Sequence, residues 1–75
     1  MMLRYRVTAP IPAIRHPPAG AEIADSRVKL PAGAVVVESV LESILLGMVD
    51  VYWDRRRYSV HRMDLSKKAE LVSAA

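Results

Sequence analysis

The stretch from Leu46 to His61 constrains the fold more than any other part of this chain. Val49, Val51, Trp53, Tyr58 and Val60 fall on one side of an alternating pattern, with mostly polar residues between them. A period of two means a strand with one face in a core. Two such runs joined by a short polar segment mean a β-hairpin. The hairpin holds the single Trp and two of the three Tyr, so the largest side chains of the molecule are committed to it. Its turn, Asp54-Arg55-Arg56-Arg57, has neither Gly nor Asn. A two-residue type I′ turn needs positive φ at both central positions, so the sequence predicts a four-residue loop on a type I turn beginning at Asp54.

The rest of the chain reads around this hairpin. Leu3-Arg4-Tyr5-Arg6-Val7-Thr8 alternates as a first strand, with Leu3, Tyr5 and Val7 inward. Residues 9–20 carry four of the five prolines. Pro donates nothing to a ladder and forces its predecessor into extended geometry, so a long, partly polyproline-like loop is expected there, with Ile11 and Ile14 closing one end of the core. His16 reads as a loop residue without chemistry. From Ser26 the alternation returns, with Val28 and Leu30 on one face. Leu30-Pro31-Ala32-Gly33 is a turn signal. Ala34 to Glu42 is a β-prone run in which Val35, Val37 and Leu41 are expected to face the core, with a bulge near Ser39 or cover from another chain. A helix over 35–46 is the competing reading, disfavoured by the valine triplet and by Gly33 and Gly47. After the hairpin, residues 62–66 should form one helical turn capped by Ser66 or Asp64, then a short strand or helix end over 69–72, then a frayed terminus.

Seventy-five residues make one domain. A core of this size supplies only ~3–5 kcal/mol without a staple. There is no cysteine, which rules out disulfides and thiolate chemistry. His16 and His61 lack the close spacing of a metal motif, so neither metal nor cofactor is expected. Self-association is the remaining staple, and 52% hydrophobic residues make it plausible. Met1 to Arg6 has no apolar core of a signal peptide, and the run from Ile44 to Val49 is far too short to span a bilayer. A cytoplasmic protein with no membrane partner is expected. The net charge of +3 is mild and its basic residues are interspersed with acids. That is a solvated surface more than a nucleic-acid footprint.

The order of elements, with Leu30 to Gly33 leading into the valine strand, Gly47-Met48-Val49-Asp50-Val51, and Met63-Asp64-Leu65 after the hairpin, resembles a small bacterial SH3-like barrel protein. The resemblance covers about residues 3–72 and implies an all-β fold, a five-stranded SH3-like barrel with a long Pro-rich loop and one short 3₁₀ or α turn near the C-terminus, spanning residues 1–75 as one domain. Plasmid-type dihydrofolate reductases, tetramers around a pore, and small SH3-like subunits of electron-transfer complexes are similar in size and barrel type. The reductases' Val-Gln-Ile-Tyr motif is absent; Tyr58-Ser59-Val60-His61 is only loosely similar. No aromatic residue stands in the Pro-rich segment, so polyproline binding is not implied.

No carboxylate pair at a motif spacing, no glycine-rich phosphate loop and no Gly-x-Ser-x-Gly elbow is present. A non-enzymatic protein-interaction module or accessory subunit is therefore expected, one that associates with a protein partner or with itself. Met48, Asp50, Tyr52, Arg57, Ser59 and His61 share the outward phase of the hairpin, and Tyr, Met and Arg are enriched at interfaces. The alternative is nucleic-acid binding by Arg55, Arg56, Arg57, Arg62, Lys67 and Lys68, through salt-dependent phosphate contacts.

Overall fold

A computed structural model describes residues 2–16, 26–39 and 47–74. Within them the chain forms seven strands and one short helix: β1 (Met2–Val7), β2 (Ile11–Arg15), β3 (Ser26–Leu30), β4 (Val35–Ser39), β5 (Met48–Trp53), β6 (Arg56–His61), α1 (Arg62–Lys68) and β7 (Ala69–Ala74). The strands make one antiparallel sheet in the order β3-β2-β6-β5-β4-β1-β7. The fold is all-β, with seven strands where five were expected, and among the described residues β3 and β7 stand at the two edges of the sheet, which does not close.

This sheet cannot be flat. β1 and β2 stand four positions apart in it, as do β3 and β4, which at the usual strand spacing is ~19 Å across a plane. Yet Val7 and Ile11 are joined by four backbone steps, which reach at most ~14 Å. Leu30 and Val35 are joined by a turn in which Ala34 N–H donates to Pro31 O at 3.2 Å. The sheet therefore curls until its two halves face each other. Val7, Val36, Val49, Val51, Val60, Ile11 and Leu30 meet between the halves and are almost fully buried. Tyr58 and Leu65 complete this core, and Trp53 packs half-buried with its ring 5.9 Å from that of Tyr58.

Several expectations are corrected. Residues 11–15 are strand despite Pro12. His16 N–H donates to Arg57 O, so by strand alternation Ile14 and Pro12 turn their backbones toward β6 as well. The β2–β6 ladder begins only at Ile14, and Pro12 therefore forfeits no ladder bond. Of the expected loop, residues 17–20 lie outside the described residues.

In β4 the phase is the reverse of that expected. Val36 is fully buried and Glu38 nearly so, while Val35 is 46% exposed and Val37 half-buried. The register gives the cause: Tyr5 of β1 lies opposite Val36, and Val51 of β5 lies opposite Glu38. Both neighbours have unambiguous inward phases, and one rung of a sheet points one way. A valine triplet has no phase of its own to resist them. Leu41 and any bulge beyond Ser39 lie outside the described residues.

The hairpin turn also differs. Trp53 pairs with Arg56, leaving a two-residue loop with φ of 50° at Asp54 and 64° at Arg55. Both central residues are left-handed, the type I′ pattern, which matches the right-handed twist of the flanking strands. The long β5–β6 ladder outweighs the local preference.

Helix α1 has seven residues and is entered from His61, which is extended and makes no side-chain cap. Neither Ser66 nor Asp64 caps it; Asp64 lies 3.9 Å from Lys68 in an i,i+4 ion pair. Its ends are tied by main chain instead. Arg62 N–H donates to Gly47 O at 3.1 Å, and Lys68 O accepts from Thr8 N–H at 2.7 Å. Buried Leu65 plugs it into the core. The expected frayed tail is strand through Ala74.

Candidate functional site

The hairpin register brings the expected interface residues together in three cross-strand pairs: Met48 with His61, Asp50 with Ser59 and Tyr52 with Arg57. All six share the outward face, but they do not share an environment. Tyr52 is 43% exposed, and Arg57 and His61 are exposed as well. Met48 and Asp50 are half-buried. Ser59 is 1% exposed, so it is an internal group and not a contact residue.

Ser59 is buried because β2 runs beside it, with Ile14 directly opposite. Its hydroxyl donates to Asp50 Oδ1 at 3.0 Å, and its oxygen lies 2.6 Å from His16 Nε2. The single hydroxyl proton is directed at Asp50, so the imidazole N–H donates to the hydroxyl. This is the reverse of nucleophile activation, in which a histidine takes the serine proton. The chain His16–Ser59–Asp50 ties the end of β2 to β6 and β5 as a part-buried polar strut. His16 thus has a structural role that its place beside two prolines did not signal. Over the strut lies a groove of about 310 Å³, walled by Pro12, Ile14, Arg27, Met48 and His61.

The alternative basic set is divided by the structure. Arg55, Arg56 and Arg57 stand exposed at the hairpin tip, whereas Arg62, Lys67 and Lys68 follow the far end of β6. Five residue steps along the strand separate Arg57 from Arg62, ~17 Å at an extended rise. Lys68 is half-buried and paired with Asp64.

A second constellation follows from the reversed phase of β4 and is invisible in the sequence pattern. Glu38 lies on the inner face, 9% exposed, and its Oε1 has no hydrogen-bond partner. It lines a cavity of about 400 Å³ together with Tyr5, Arg62, Leu65, Ser66, Ala69 and Leu71. Burial pushes the Tyr5 phenol above its ordinary value, the Glu38 charge adds to this, and Arg62 works against it. Tyr5 is accordingly a neutral hydroxyl at physiological pH. Among the described residues no group of three or more His, Cys, Asp or Glu is placed to hold a metal ion, and no helix is long and apolar enough to cross a membrane. Comparison with family models, with curated proteins and with solved structures finds no match to this chain.

Proposed function

We propose that this chain is a small non-enzymatic interaction module of the SH3-like kind, which associates with a second copy of itself through the outward face of β4, β5 and β6. The observation that carries this reading is Tyr52: a tyrosine 43% exposed in the middle of a sheet, flanked across the strands by Val37 and Arg57. Exposed Val35 extends the same face, and Met48 and His61 continue it toward β2. Aromatic, Met and Arg side chains over a rigid sheet are the composition of interface hot spots. The part-buried strut within the same face keeps that surface fixed, so little ordering entropy is lost on association. A cytoplasmic setting accords with the lack of cysteine.

The test is solution mass by light scattering behind a sizing column, at low and high salt. A dimer or larger species indifferent to salt is expected. Tyr52→Ala should shift it toward monomer while the domain stays folded. A wild-type monomer across the micromolar range, or a Tyr52→Ala assembly unchanged in mass, overturns the reading. Nucleic-acid binding is the weaker alternative, since the two basic groups stand at opposite ends of β6 and share no continuous stripe.

A further inference from the structure

The cavity between β1, β4, α1 and β7 combines features that a merely structural gap lacks. Its floor carries Glu38, with a carboxylate oxygen sealed from solvent and hydrogen-bonded to nothing. Buried polar groups nearly always have a partner, and this carboxylate oxygen is an exception among the described residues. Burying a charge without such a partner is costly. Arg62, of opposite sign, lines the same cavity but does not bond that oxygen. Tyr5 lies where it feels both charges. The remaining wall is Leu65, Ala69 and Leu71, the last 57% exposed, with the hydroxyl residue Ser66 among them. A volume of about 400 Å³ falls within the usual range for small-molecule sites.

We infer that this cavity binds a small zwitterion, an α-amino acid with an aliphatic side chain, with its ammonium on Glu38 and its carboxylate on Arg62. The charge pattern selects this class over simpler ones. An ammonium ligand alone meets Arg62 as a like charge, and a carboxylate alone meets Glu38. A zwitterion offers each its opposite, while its hydrocarbon covers Leu65 and Leu71. Oε1 is itself sealed, so the ammonium meets the other oxygen of the Glu38 carboxylate, over which the same charge is delocalised. The Tyr5 hydroxyl, held neutral, can donate to the ligand carboxylate or accept from its ammonium. Charge-assisted contacts of this kind are the strong ones, and each discriminates by tenfold or more.

The experiment is calorimetric or NMR titration of the full chain with L-leucine, with isopentylamine, which lacks the carboxylate, and with isocaproate, which lacks the ammonium. L-leucine should bind saturably and shift the resonances of Tyr5 and Leu65, and each truncated probe should bind at least tenfold more weakly. Glu38→Gln and Arg62→Gln should each weaken L-leucine to the same degree, while Lys67→Gln, outside the cavity, leaves it unchanged. The inference is overturned if L-leucine fails to bind up to millimolar concentration. It is equally overturned if a truncated probe matches L-leucine, or if Glu38→Gln binds as the parent does. Should either cavity variant fail to fold, the probe comparison on the unaltered chain decides the matter. Self-association through Tyr52 is read by mass alone, so the two proposals fail separately.

Discussion

The hairpin tip is a place where backbone strain can be isolated from everything else. Arg55 sits at φ 64° and is exposed, so its side chain contributes little packing. A left-handed conformation costs an L-residue such as Arg ~1–2 kcal/mol, and somewhat less for Asp54, whose short polar side chain tolerates it. Arg55→Gly removes the steric term but adds about 0.5–1 kcal/mol of unfolded-state entropy. The net expectation is a gain of about 0.5–1 kcal/mol, or a rise of roughly 2–8 °C in unfolding temperature for a domain of this size. Removing one of three consecutive arginines also relieves repulsion, which would mimic the effect. Arg55→Ala separates the two causes, because it deletes the charge yet keeps the Cβ that creates the strain. Thermal and urea unfolding of the three proteins should rank Arg55→Gly above Arg55→Ala. If the alanine variant gains as much as the glycine variant, the stabilisation is electrostatic and the strain argument fails. Arg55→Pro, which fixes φ near −65°, should be destabilised outright.

Two further outcomes follow from buried polar groups. Glu38→Met replaces an unsatisfied buried carboxylate with an unbranched apolar side chain that adapts to its surroundings, and should stabilise the chain by about 1–3 kcal/mol in urea unfolding while abolishing L-leucine binding; a loss of stability would mean that Glu38 is structurally satisfied. Ser59→Ala removes both bonds of the strut between β2, β5 and β6 and should cost about 1–3 kcal/mol, with amide exchange quickening first in β2; unchanged exchange there would show that main-chain pairing alone holds that strand.

Much of the β5–β6 hairpin was legible in the residues themselves. Its polar and apolar positions alternate clearly, so the inward set of Val49, Val51, Tyr58 and Val60 emerged as read, although β6 begins two residues earlier than the expected four-residue turn allows and Ser59 is buried. The same holds for β1 and for Val28 and Leu30 of β3. The short helix near Met63 was placed correctly, though not its caps, because those are main-chain groups of Thr8 and Gly47 that become neighbours only on folding. The proline-rich segment misled for a related reason. Whether Pro12 breaks a ladder depends on which side its missing donor would face and whether a strand lies there, and neither fact is local.

The sequence by itself determined that this is an all-β chain built around one hairpin, because side-chain alternation is a property of neighbours along the backbone. Only the tertiary structure decided the phase of β4, the burial of Ser59 and the joining of Glu38 with Arg62. Val35-Val36-Val37 carries no contrast between its faces, so the rungs already set by Tyr5 in β1 and Val51 in β5 chose which valine went inward. That choice turned Glu38 into the core and set it in the lining of a cavity that Arg62 shares.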